Sequence, residues 1–326
     1  MSRLISDIGV LEDKMKSDNL PTFNKQFDNQ IYNVHFSPFE WSHDILCIAF
    51  AKKICIGQVK FQDDFDFQIV GEFGHEVQCY SIAISPQTSL SVLPKILQFC
   101  TAGDDFKLRL YKSDLLNSNT CQILEGHNNY INDLCFESEN NYLASVSDDQ
   151  TAQVWDTSDC TCITVFYLTS PGISVCWHNE DTAKLMVCEK NGLIRFYNIH
   201  SQQPILSLEN NASVSFAHWS PSDSQLVGAL QQGELILWDL TRPSRPAHSK
   251  MIHVDGGGHM QFSPLGNLVA TVNSLASCIK VTQLQNGHTK LNASVLLPTN
   301  ATWHFRLPVV CIGDDRTLCF WKIDPN

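Results

Sequence analysis

The sequence predicts an all-β protein, a seven-bladed β-propeller over residues 21–326 whose last blade is closed by an N-terminal strand. Three observations predict it: a repeat of about forty-two residues, seven similar strand starts, and one repeat unit that is chemically near complete. Apolar runs ending in an aromatic recur as LRLYK at Tyr111, QVWDT at Trp155, IRFYN at Tyr197, LILWD at Trp238 and CFWK at Trp321. Successive spacings are 44, 42, 41 and 83 residues, the last nearly two units, and CIKVT (278–282) stands where the missing ending should fall. A period in the low forties is the length of one four-stranded blade.

Each unit then supplies its strands in order. The first strands are VHFSP (34–38), IAISP (82–86), LCF (134–136), VCWH (175–178), AHWSP (217–221), MQFSP (260–264) and TWH (302–304). Serine-proline suits the turn that ends them, because proline fixes φ and cannot continue a central strand. A second strand leads into a tight turn: AGDD (102–105), SVSDD (145–149), EKNG (189–192), QQG (231–233) and IGDD (312–315). Such turns between alternating strands are hairpin signals. The seventh unit ends at Trp321 with five residues to follow, one strand short. An open edge in a ring is an aggregation hazard, so TFNKQF (22–27) is expected to pair beside CFWK. Residues 1–20 read as a flexible tail, although the spacing of Leu4, Ile8, Leu11 and Met15 permits a short amphipathic helix. The GGG at 256–258 reads as a flexible connection.

The third unit holds the fullest set of polar residues. It has Gly126 and His127 before its first strand, then YLASVSDDQTAQVWD (142–156). Acids beside hydroxyls could bind a metal or activate a nucleophile, but catalysis also needs a cleft and a second partner group. This unit resembles a WD repeat. That resemblance implies a hydrogen-bonded chain of His127, Asp149, Ser145 or Ser147, and Trp155, bracing the hairpin, with Asp148 a solvated neighbour.

Composition narrows the function. The chain has 326 residues, 43% hydrophobic and 17% charged, with a formal charge of −12. That balance disfavours direct binding of nucleic acid. No apolar run approaches a membrane span of about 20 residues, and the N-terminus lacks a signal-peptide core, so an intracellular, soluble protein is expected. The 13 cysteines lie mostly in apolar strands, as in ILCIAF and TLCFW, where the thiol is a small buried hydrophobe. Cys160 and Cys162 alone lack a zinc-site spacing, so no metal and no cofactor are expected. Phosphate-loop, nucleophile-elbow, zinc-protease and EF-hand motifs are absent. His35, His178, His218 and His304, near the inner-strand ends, read as hydrogen-bonded structural groups. The expectation is a non-enzymatic protein.

LPKILQFCTAGDDFKLRLYKSDL (93–115), LEGHNNYINDLCF (124–136), SPGISVCWH (170–178) and KLMVCEKNGLIRFYN (184–198) point further. With the insertion SPQTSLSVLPKILQF (85–99) and the short carboxy end, they resemble the small WD-repeat nucleoporins of the Y-shaped nuclear pore scaffold. The likeness runs from about residue 31 to 322. It implies a scaffold subunit at the nuclear envelope that docks on the large propeller-plus-solenoid nucleoporin of the Y-complex and, through it, on other subunits. It also implies roles in pore assembly, mRNA export, protein transport and, in animal cells, the kinetochore. Rival classes are a different WD-repeat adaptor, such as those of ubiquitin ligases, and a peptide or histone-tail reader in another complex. Trp155-Asp156 and Trp238-Asp239 lack the following arginine that such adaptors carry, and Tyr130 with Phe106 is too few aromatics for a cage. The insertion places apolar Leu90, Val92, Leu93 and Pro94 in a connection longer than a hairpin needs. These four are the expected partner contact, the alternative being a cap on their own blade.

Overall fold

Alternating strands and Asp/Asn/Gly turns produce seven four-stranded antiparallel sheets. The computed structural model describes residues 20–61, 65–116, 118–210 and 212–324. Among these the only helix is one 3-10 turn, Glu40–Ser42. Six blades use four consecutive strands; in the third these are Ile131–Phe136, Tyr142–Ser147, Thr151–Asp156 and Cys162–Tyr167. The seventh combines Thr302–Trp303, Val309–Asp314 and Thr317–Lys322 with Phe23–Gln26 from the other end of the chain. Phe23 pairs with Phe320 and Gln26 with Thr317, antiparallel, so the N-terminal strand covers the edge that the sequence left open. The expected tail and amphipathic helix at 1–19 lie outside the described residues.

The core is not one cluster but seven, each shared by two neighbouring blades. Leu108, Leu110 and Leu124 of the second blade meet Leu134, Phe136 and Trp155 of the third. Ile31, Val34 and Leu46 of the first meet Cys311, Leu318 and Phe320 of the seventh. Both faces of every sheet are therefore buried, which is why the second and third strands read as continuous apolar runs. Polar bonds run between adjacent inner strands as well. Val175 N–H donates to Asp133 Oδ2 at 3.0 Å, Ala217 N–H to Ser174 Oγ at 3.1 Å, and Phe36 N–H to Thr302 Oγ1 at 2.9 Å. Asn300 closes the ring: its Nδ2 donates to Val34 O at 2.7 Å and its Oδ1 accepts from Val34 N–H at 3.2 Å.

The ring has two unlike faces. One carries the hairpin turns between second and third strands, and the other carries the Ser-Pro loops after the inner strands. The Gly256–Gly258 connection is packed, not loose. Gly258 N–H donates to Val272 O at 3.1 Å, and a Cβ on Gly257 would lie 2.5 Å from Leu230.

Candidate functional site

The third blade joins its four residues in one chain. His127 Nδ1 donates to Asp149 Oδ2 at 2.8 Å, leaving Nε2 to accept from Ser145 Oγ at 2.8 Å. Ser145 Oγ in turn accepts from Trp155 Nε1 at 2.9 Å. Asp149 also accepts from the Asn128 amide at 2.9 Å and from Thr151 N and Oγ1 at 2.9 and 2.7 Å. Gly126 is required by close approach: a Cβ there would stand 2.8 Å from the Trp155 ring. Ser147 is outside the chain; it donates to Asn129 O at 3.2 Å and accepts from Asp149 N–H at 3.0 Å.

Burial alone would raise the Asp149 carboxyl, but the bonds from His127, Thr151 and Asn128 outweigh it and hold it well below the usual carboxylate range. Every lone pair of this acid faces a donor of its own blade, so the arrangement braces a turn. Asp148 needs a correction. It is half-buried, and Oδ1 accepts from Asn132 Nδ2 at 2.8 Å, while the same amide donates to Gly172 O at 2.7 Å. Asp148 thus supports a link to the fourth blade and is not simply solvated.

The central channel, a cavity of about 200 Å3, gathers His35, His218, His259 and Asp133. Burial holds His35 and His218 down to about 4 and His259 to about 3. Burial likewise lifts Asp133 to about 7 and the Cys176 thiol to about 12. Asp133 is already engaged by the Val175 and Leu134 amides at 3.0 and 2.9 Å. His178 and His304 sit just past their strands, and Nδ1 of each accepts two loop amides. His218 Nδ1 accepts from the Phe262 amide at 3.4 Å, and His35, His218 and His259 line the passage; the third of these carried no sequence signal. Among the described residues no group of three or more His, Cys, Asp or Glu is placed to hold a metal ion. Among the described residues no helix is long and apolar enough to cross a membrane.

The second-blade insertion is a small hairpin on the Ser-Pro face, tied by Ser89 and Ile96 at 2.7 and 2.9 Å. The structure divides the four residues singled out there. Leu90 packs against the core between the first two blades, so for this residue the capping alternative holds. Val92 and Leu93 are 64% and 83% exposed, with Pro94 exposed beside them. On the opposite face Tyr130 packs edge to face with Tyr80 and Phe106, with centroids at 5.4 and 5.0 Å. The rings fill the space that a cage would leave open.

The WD domain, G-beta repeat model matches residues 118–156, the unit that holds the complete chain. The protein is 38% identical over 308 residues to human Nucleoporin Nup37, covering 90% of this chain and 94% of that one. The mouse Nucleoporin Nup37 is 37% identical over the same coverage, and the Drosophila melanogaster protein 31% over 95% and 99%. The chain belongs to the Nup37 family of nucleoporins. Coverage this wide takes in most of the ring.

Proposed function

We propose that this protein is a non-enzymatic scaffold subunit of the Y-shaped complex at the nuclear pore. The observation that carries the reading is likeness to Nup37 along almost the whole ring. Its polar chemistry is consistent: the third-blade chain braces its own turn, and Asp133 is held by the Leu134 amide of its own strand and the Val175 amide of the next blade. As a scaffold it binds the large propeller-plus-solenoid nucleoporin and, through it, other Y-complex subunits, so that it supports pore assembly, mRNA export and protein transport. A kinetochore role belongs to the same assembly. Its acidic charge argues against direct contact with nucleic acid.

The contact is placed on Val92 and Leu93, which project from the hairpin as exposed apolar side chains. Burying one such side chain contributes about 1.5–3 kcal/mol, and few anchors dominate most interfaces. The test is Val92→Asp with Leu93→Asp, leaving Leu90 intact. Affinity purification from cells should recover Y-complex subunits with the wild type and lose them with the variant, at an unchanged melting temperature. Full recovery with the variant would move the contact elsewhere; no Y-complex subunit with the wild type would sink the function itself.

A further inference from the structure

The channel opens on the Ser-Pro face into a basin of about 430 Å3. Cys135, Cys176, His218 and Gln261 line both spaces, so they form one passage. Aromatic and prolyl side chains wall the basin, among them Phe39, Trp41, Trp177, Pro221, Pro264 and Phe305. Trp41 is 51% exposed yet firmly held. Its ring stacks on Phe39 at 5.5 Å and 16°, and its Nε1–H donates to Pro86 O at 2.7 Å. Burying its open face therefore strands no donor and orders little that is not ordered already, which is the character of a binding anchor.

The rim adds charge. Exposed Glu139, Glu180 and Asp223 lie within two residues of the lining Ser138, Asn179 and Pro221, on the loops of three successive blades. Among the described residues none of the three forms an ion pair. Two cations near this rim are engaged, Lys184 with Asp181 at 3.0 Å and Arg306 with Glu40 at 3.1 Å. An apolar cup edged by unpaired carboxylates focuses a negative potential.

We propose that this basin is a docking site for an extended basic segment of a partner chain, with an arginine laid over the open face of Trp41 and further basic side chains reaching the rim acids of the third to fifth blades. It is a second surface, separate from the hairpin at Val92 and Leu93. Guanidinium over indole is the favoured cation–π pair, and an extended chain fits a shallow aromatic and prolyl wall. The same carboxylates repel nucleic acid and anionic lipid.

The experiment pans a displayed nonapeptide library of basic, neutral and acidic members on the full-length protein, then measures enriched peptides by fluorescence anisotropy. Enriched peptides should carry arginine, weaken as salt rises, and bind Trp41→Ala about tenfold less tightly. Glu180→Lys with Asp223→Lys should weaken them several-fold; both sites are exposed, and because Asp223 Oδ1 accepts from the Gln225 amide at 2.9 Å an unchanged melting temperature is required of this variant. Val92→Asp with Leu93→Asp should leave affinity unchanged. Enrichment of acidic or neutral peptides, no enrichment, or equal binding to the Trp41 and charge-reversed variants would overturn the proposal. So would tighter binding after removal of residues 1–18, which would make the occupant this chain's own N-terminus.

Discussion

The third and seventh blades do the same job with different materials. The third is contiguous in sequence and is locked inside by a polar chain from His127 to Trp155. The seventh joins both ends of the chain, and its inner strand has two residues, Thr302–Trp303. Its turn acid, Asp314, accepts from the Leu296 and Leu297 amides at 2.7 and 2.8 Å, with no histidine between. Glu189 in the fourth blade likewise accepts from the Thr169 and Ser170 amides at 2.8 and 3.0 Å. The shared task is therefore to hold the segment arriving from the previous blade by its own amides. The His–Ser–Trp chain is an added reinforcement. The seventh blade is secured instead by aromatic packing: Phe23 stacks on Phe65 at 5.0 Å, and Phe27 meets Phe50 and Phe67 of the first blade at 5.3 and 5.8 Å.

The seam is where the ring is most easily opened. Removing residues 1–29 deletes a strand and two phenylalanines that together cover the join between last and first blades. Their burial alone is worth on the order of 3–5 kcal/mol, and the bared edge invites pairing with other chains. Removing residues 1–18 should leave melting temperature and monomeric state unchanged. Light scattering and thermal melts of both truncations decide it, and a monomeric, equally stable long truncation would mean that the apolar seam is not what closes the ring.

Within the third blade, Asp149→Ala should cost about 1–3 kcal/mol, because His127, Asn128 and Thr151 lose a buried acceptor. The effect carries a pH signature. Since the folded-state pKa is lowered, the stabilisation is present above the unfolded value of about 4 and is lost as pH falls through the folded one. Denaturant midpoints of wild type and variant should therefore converge from neutral pH toward about pH 2. A constant gap would show that charge on Asp149 contributes nothing to the brace.

The ring was legible because its signals are local and periodic: the aromatic strand ends, the turn acids, and the Ser-Pro stops each report a single blade. The closing strand was legible by counting, since the seventh unit lacks one. What stayed hidden is what depends on contacts between blades. Asp148 and Asn132 are sixteen residues apart, and nothing in either tells that Asn132 also reaches Gly172. Leu90 and Leu93 look alike in sequence, yet one fills the seam between two blades and the other stands in solvent. Of the channel histidines, His35 and His218 were legible as inner-strand groups and His259 was not; that the three share one passage stayed hidden because only the closed ring brings their strands together.

The link between the third and fourth blades carries less energy than either the brace or the seam. If blades were stabilised only from within, Asp148→Ala would be silent, for Asp148 takes no part in the chain through His127. The structure gives it a different role: it orients the Asn132 amide, whose second hydrogen bond reaches Gly172 at the start of the fourth blade. The pair is half-buried, so removing the acid should cost about 0.5–1 kcal/mol, near the net worth of one neutral-range hydrogen bond. Asn132→Ala removes the same link from its other side. Because the two groups act through one bond network, the double variant should cost about as much as the larger single change, not their sum. Strict additivity in a double-mutant cycle would mean that Asp148 acts only on its own turn, leaving blade-to-blade coupling at this position to the apolar core alone.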